Sequence, residues 1–153
     1  MATLTITRGL PGSGKTTFAE KWVKQELNRV RVNRDDLRFL MFGKYAGLNH
    51  WEETSLTFLQ HGLVACWLGS GVNVIVDDTN LNTLTVKGWQ KVALAENAHF
   101  RYVDFWMEPE RAIEMVARRG REGGRSVPRE VIDRMYLKYL MHGFSTIKPL
   151  EVS

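Results

Sequence analysis

The sequence predicts an α/β fold in three layers, a parallel β-sheet flanked by helices, with an arginine-bearing lid. Three observations predict it. Short β-branched stretches alternate with longer helical patterns, which implies parallel strands joined by right-handed crossovers. The first stretch runs directly into Gly9-Leu10-Pro11-Gly12-Ser13-Gly14-Lys15-Thr16, which fits the phosphate-binding spacing G-x-x-x-x-G-K-[ST]. Near the C-terminal end, Arg118, Arg119, Arg121 and Arg125 are interleaved with Gly120, Gly123 and Gly124 between two helical patterns. That composition is expected of a mobile lid over about residues 118–128.

Each element has its own signal. Leu4-Thr5-Ile6-Thr7 alternates apolar and polar and reads as a strand. Thr17 to Leu27 reads as a helix with Phe18, Trp22 and Val23 inward. Strand, glycine loop and helix together aim backbone N–H groups and the positive helix end at a phosphate. Lys15 reaches the β- and γ-phosphates and the Thr16 hydroxyl can ligate Mg²⁺. The expected ATP-binding set is Gly9, Pro11, Gly12, Ser13, Gly14, Lys15, Thr16 and Thr17, completed by Arg118 and Arg125 of the lid.

Arg29 to Asn33 forms a second strand that ends in Asn33-Arg34-Asp35-Asp36-Leu37-Arg38. Ligands bind beyond the carboxyl ends of parallel strands, so this polar cluster belongs near the phosphate loop. Asp35 or Asp36 is expected to cap a short helix through Phe42. A loop from Gly43 to Asn49 precedes a long helix from about Trp51 to Leu68, with Leu56, Leu59, Leu63 and Trp67 as its buried stripe. Cys66 in that apolar run is expected to be a core residue. His50 and His61 have no metal-ligand spacing. Val72 to Val76 is a third, central strand ending in Asp77-Asp78-Thr79-Asn80, where an acidic residue can orient Mg²⁺. Asn82 caps a helix through about Glu96, with Val86, Trp89, Val92 and Ala93 inward. Phe100 to Trp106 is a fourth strand. Pro109 and Pro128 each open a helix; the first carries Ile113, Met115 and Val116, the second Val131, Ile132, Met135, Tyr136 and Leu140. Ile147 to Val152 reads as a short edge strand.

Length and composition agree with this frame. The chain has 153 residues, 44% hydrophobic and 25% charged, expected as one domain over 1–153. A single cysteine excludes an internal disulfide framework and a cysteine-built zinc site. No apolar run is long enough to span a bilayer. The expected setting is a reducing cytoplasm, that of a host if the chain is phage-encoded, with no membrane partner. The formal charge of +4 permits an anionic partner.

Phosphoryl transfer needs charge neutralisation and a positioned acceptor. Asp35 can accept a hydroxyl proton. Arg38, one helical turn on, can grip an anionic acceptor through two parallel hydrogen bonds. The lid arginines can close over the transferring charge.

Taken together, Gly9-x-Pro11-Gly12-Ser13-Gly14-Lys15-Thr16, Asn33-Arg34-Asp35-Asp36-x-Arg38, Asp77-Asp78-Thr79-Asn80-Leu81-Asn82, Val127-Pro128 and Met135-Tyr136 resemble the kinase domain of phage polynucleotide kinases. The resemblance covers roughly residues 4 to 140 and implies a P-loop kinase-like fold. It implies transfer of the γ-phosphate of ATP to a 5′-hydroxyl end of DNA or RNA, as in nucleic-acid repair or end healing. It also implies that Lys15 and Thr16 bind phosphate and magnesium, with Asp77 or Asp78 reaching the metal through water. Asp35 is then the general base, Arg38 holds the 3′-phosphate of the terminal nucleotide, and Asp78 and Thr79 help form the acceptor site. Of the lid arginines, Arg118 matches one of the family's. At the ungapped position of the second stands Glu122, with Arg121 beside it and Arg125 further on. The expected catalytic set is therefore Lys15, Asp35, Arg118 and Arg121. No Asp-x-Asp-Gly-Thr signature occurs, so 3′-phosphatase activity is not expected. Relatives that assemble make a homo-oligomer one of the states to be measured. Two other readings use the same residues: a small-molecule kinase acting on a nucleoside, sugar or antibiotic hydroxyl, and a non-catalytic nucleotide-binding module.

Overall fold

The computed structural model describes residues 1–141, Tyr139 by its backbone alone. The strand expected over Ile147 to Val152 lies outside the described residues. In chain order the elements are β1 (Thr3–Gly9), α1 (Lys15–Gln25), β2 (Arg29–Val32), α2 (Arg34–Phe42), α3 (His50–Gly69), β3 (Asn73–Val76), α4 (Thr83–Ala95), β4 (His99–Phe105), α5 (Pro109–Arg121) and α6 (Arg129–Met141). The four strands form one sheet in the order β2-β3-β1-β4, all parallel. Ile6 and Val32 both stand opposite Val76, so β2 and β3 end at one level, and β1 runs on past it to Gly9. That register brings the phosphate loop, the Asn33–Arg38 segment and the Asp77–Asn80 segment side by side, where open parallel sheets bind ligands.

Alternation along the strands decides which face each residue serves. Leu4, Ile6, Val74 and Val76 bury against Val64 and Leu68 of α3 and Trp89 and Ala93 of α4. Ile75 points the other way, onto Ala19 and Trp22 of α1. Burial of each such large side chain is worth roughly 1.5–3 kcal/mol. A third cluster of Leu10, Leu81, Ala112, Val116 and Ile132 clamps the phosphate loop and the β3–α4 loop to α5 and α6. No described helix is long and apolar enough to cross a membrane.

Four local expectations are corrected. The buried stripe of α3 is Leu56, Gln60, Val64 and Leu68 rather than Leu56, Leu59, Leu63 and Trp67. The helix is apolar on several sides, so spacing alone does not choose its face. Leu59 and Trp67 are about 40% and 39% exposed as a result, and Leu63 is only partly buried. Cys66 is exposed rather than core. The α2 cap is neither aspartate: Asn33 Oδ1 accepts from the Asp36 N–H at 2.9 Å. Finally, Arg118, Arg119 and Arg121 form the last turn of α5, so the α5–α6 connection is only residues 122–128. Asn82 does cap α4, accepting from the Leu84 N–H at 2.8 Å.

Candidate active site

The phosphate loop is shaped by close approach and by two left-handed glycines, Gly12 at φ +78° and Gly14. A Cβ on Gly9 would meet the Phe105 carbonyl oxygen at 2.6 Å, so nothing larger than glycine fits where β1 ends against β4. Gly14 has φ +98° and caps α1 without any side-chain hydrogen bond, and the first turn holds no acidic residue. The first N–H groups of an 11-residue helix therefore face the loop with no carboxylate beside them. Lys15 is buried. Its Nζ donates to the Leu10 carbonyl at 2.5 Å and to Ser13 Oγ at 3.4 Å. Burial brings its pKa down to about 8, against the opposing pull of Asp77 and Asp78.

The loops after β1, β2 and β3 are joined by hydrogen bonds rather than merely adjacent. Thr7 Oγ1 donates to the Asp78 carbonyl at 3.1 Å, and the Gly9 N–H donates to the Thr79 carbonyl at 3.0 Å. The Asn33 amide donates to the Asp77 carbonyl. Asn80, in a left-handed conformation, donates to the Thr7 carbonyl at 2.7 Å and accepts from Trp89 Nε1 at 3.1 Å. Asp78 accepts from the Arg34 N–H at 2.8 Å and from Gln60 Nε2 at 2.6 Å. Burial pushes the Asp78 carboxyl up to about 6 in spite of those two hydrogen bonds, and Asp77 beside it adds to the rise. Asp77 is 1% exposed. One of its oxygens accepts from Arg31 Nε at 2.8 Å, while Oδ1 is buried with no hydrogen-bond partner among the described residues.

On α2, Asp35 is held between two arginines. Arg38 donates to one of its oxygens from one turn away, and Arg125 of the α5–α6 loop pairs with the other. Arg38 is itself fixed by Glu53 of α3, at 3.1 Å from Nε and 3.2 Å from the second guanidinium nitrogen. Glu53 also accepts from Arg34 at 2.8 Å. Burial alone would raise the Glu53 carboxyl, but the hydrogen bonds from Arg34 and Arg38 outweigh it and hold the group below the usual range.

One cleft of about 860 Å³ gathers most of these residues. Pro11, Gly12, Gly14, Lys15, Thr16 and Thr17 line it from the phosphate loop, Asp35 and Arg38 from α2, and Asp77, Asp78 and Thr79 from the β3 end. Of the arginines near the lid, Arg119 and Arg125 face it. Arg118 instead pairs with Glu122 at 3.4 Å across an exposed turn, and Arg121 is exposed; neither lines the cleft. Sequence reasoning missed Arg31, Glu53 and Gln60, and it placed Arg119 in the lid without assigning it to the site. Arg31 carried a signal, since a charged residue between two valines of β2 must find a partner beside the sheet. Glu53 and Gln60 carried none, because their partners lie on other elements.

No group of three or more potential metal-ligating side chains occurs among the described residues. Magnesium does not require one. It keeps several waters and binds through one or two carboxylates plus substrate phosphates. The unpartnered Asp77 oxygen and the exposed Thr16 beside the phosphate loop fit that donor set.

Comparisons with known proteins bear on the family and the fold. A family model described as an AAA domain matches residues 4–139. A protein of Autographa californica nuclear polyhedrosis virus, assigned as a bifunctional polynucleotide kinase/RNA ligase, is 36% identical over 121 residues, 69% of this chain and 17% of the relative. The L-seryl-tRNA(Sec) kinase of Methanococcus maripaludis is 27% identical over 143 residues, 89% of this chain and 52% of the relative. A chain of the Pnkp1/Rnl/Hen1 RNA repair complex superposes with a TM-score of 0.84 at 28% identity, over 99% of this chain and 49% of that one. This chain thus spans half or less of the length of the first and last of these, and about half of the second. A gluconokinase from Sinorhizobium meliloti, at 14% identity and TM-score 0.58 over 90% of this chain and 73% of that one, shares the fold alone. The chain belongs to the AAA domain family, has the P-loop kinase fold, and is similar over most of its length to a protein assigned as a polynucleotide kinase/RNA ligase.

Proposed function

We propose that the chain is an ATP-dependent polynucleotide 5′-hydroxyl kinase acting on DNA or RNA ends during end healing. The observation that carries this reading is the shared cleft: Lys15 on one wall and the Asp35–Arg38 pair, backed by Glu53, on another. The similarity to polynucleotide kinases over most of the chain supports it. In this reading the phosphate loop and Thr17 hold the donor phosphates. Asp35 receives the proton of the attacking hydroxyl. Arg38 binds the 3′-phosphate of the terminal nucleotide, and Asp78 and Thr79 form the wall against which that nucleotide sits. Mg²⁺, when bound, would be held by Thr16 and, through water, by Asp77 or Asp78, and would offset charge on the phosphate oxygens.

The test is transfer of labelled γ-phosphate to a panel of acceptors: RNA and DNA with 5′-hydroxyl ends, 3′-mononucleotides, free nucleosides and sugars. Labelled oligonucleotide is the expected product. Transfer to nucleosides or sugars alone would make the chain a small-molecule kinase, and nucleotide binding without any transfer would make it a binding module.

Two further expectations follow from the site. The lid arginines should separate by position. Arg125→Ala should lower kcat by on the order of 10²-fold with little change in ATP affinity, because a contact formed only on closure acts only in the transition state. Arg118→Ala and Arg121→Ala match it only if closure rotates the end of α5 into the cleft. Wild-type kcat in all three, with Arg119→Ala added, would reduce the segment to a solvated loop.

The second expectation is a pH dependence. Burial holds the Lys15 pKa of the free protein at about 8, and a bound phosphate beside the ammonium should raise it. Nucleotide affinity should therefore fall as pH rises above about 8, approaching tenfold per unit, until the bound form also titrates. Equilibrium titration of a nucleotide from pH 7 to 10 measures this. A flat profile would mean that Lys15 keeps its proton without a ligand.

A further inference from the structure

We infer that a second cavity, on the far side of the Asp78–Thr79 wall, receives the second nucleotide of the acceptor strand. This rests on the kinase reading above and adds a subsite to it. The cavity measures about 490 Å³, within the roughly 300–1,000 Å³ of small-ligand sites. It shares Arg34, Asp78, Thr79 and Met135 with the catalytic cleft, and no phosphate-loop residue lines it. A strand whose 5′-oxygen faces Lys15 must run away from the phosphate loop with every later nucleotide. Of the two cavities, this one borders the acceptor wall without touching the phosphate loop.

Its chemistry suits a nucleotide. The His61 ring lies against Trp89, centroids 4.4 Å apart, which fixes an aromatic plane at the cavity wall. Burial, with Arg34 nearby, holds the His61 pKa below its usual value, so the plane is uncharged at neutral pH. Leu84, largely exposed in the first turn of α4, adds an apolar edge. Lys138 of α6 supplies a cation at the rim, while the Arg34 guanidinium is committed to Glu53 and Thr57. An aromatic plane, an apolar edge and a flexible cation bind any base by stacking and its phosphate by charge. The subsite should favour acceptors of two or more nucleotides without selecting their sequence.

The experiment measures KM and kcat of the full chain for a 3′-phosphorylated mononucleotide and a 3′-phosphorylated dinucleotide. The variants are Lys138→Ala, His61→Ala and His61→Phe. Wild type should show a KM for the dinucleotide about five-fold or more below that for the mononucleotide, the scale of one stacked base. Lys138→Ala and His61→Ala should raise the dinucleotide KM by several-fold while the KM for the mononucleotide and for ATP hold. His61→Phe should restore the dinucleotide KM, because it keeps the plane. Lys138 is exposed, so its variant stays informative even if His61→Ala fails to fold. Equal KM values for the two acceptors in wild type would overturn the inference and leave the kinase reading standing. So would a mononucleotide KM that rises alongside the dinucleotide's, since the cavity would then hold the terminal nucleotide. Absence of transfer to nucleic acid of any length would overturn the kinase reading itself, and the subsite with it.

Discussion

Asp35→Asn should cost about 10²–10⁴ in kcat, the range typical of a general base, with nucleotide binding preserved. The swap is nearly isosteric. It does not touch the helix cap, because Asn33 and not Asp35 satisfies the first turn of α2. It does remove the group able to take the hydroxyl proton, and with it the charge that Arg38 and Arg125 share. Part of the loss can be orientation rather than proton transfer, since the transition state of phosphoryl transfer is largely dissociative. ATP binding should hold or tighten slightly, because Arg125 is released from its partner and a negative charge leaves the cleft. Asp36→Asn is the control. Asp36 is 59% exposed and pairs with Arg31 at 2.8 Å, and surface pairs of that kind contribute about 0–1 kcal/mol. Single-turnover transfer to a 5′-hydroxyl oligonucleotide compares the two. A dead Asp36→Asn beside an active Asp35→Asn would shift the site by one residue.

Lys15→Ala should lower transfer by on the order of 10²–10³, about 3–4 kcal/mol of transition-state charge stabilisation. The fold should survive it. Among the described residues Lys15 Nζ bonds within the phosphate loop, to Leu10 and Ser13, and no strand pairing depends on it. Burying its charge is already unfavourable, as the lowered pKa shows, so the alanine variant should melt no lower than about the wild-type temperature. Turnover near the wild-type rate in a folded variant would remove Lys15 from the catalytic set.

The elements that were legible in the sequence are those whose signal is local. The phosphate loop is a contiguous motif between a β-branched strand and a helix, and β1, α1, α4 and the two proline-led helices followed from capping and period. What escaped was set by partners distant in sequence. Gln60 is the clearest case. A glutamine on an apolar helix reads as an outward residue, yet it is 2% exposed because its amide satisfies Asp78, 18 positions away. Placing it inward moves the α3 stripe to Leu56, Val64 and Leu68 and turns Cys66 out. Glu53 was invisible for the same reason: Arg38, its partner, is on the neighbouring helix. The lid arginines were legible as a group but not individually. Their interleaving with glycine suggested a loop, whereas the first three continue α5 and inherit its phase, which faces Arg119 into the cleft and leaves Arg118 and Arg121 outside it.

The strand order β2-β3-β1-β4 has a consequence for how the cleft is assembled. The first strand made ends up between the third and the fourth, with Thr3 opposite His99 and Ile6 opposite Val76. Until those later strands exist, β1 carries two unpaired edges. The bonds that assemble the site span similar distances: 71 positions from Thr7 to Asp78 and 44 from Asn33 to Asp77. Such separations must be closed before any contact rewards them, which makes them late events in folding. The phosphate loop is therefore synthesised early but is not a site when it emerges. The cleft arrives with the sheet as a whole, and until then the apolar edges of β1 are the part of the nascent chain most exposed to mispairing.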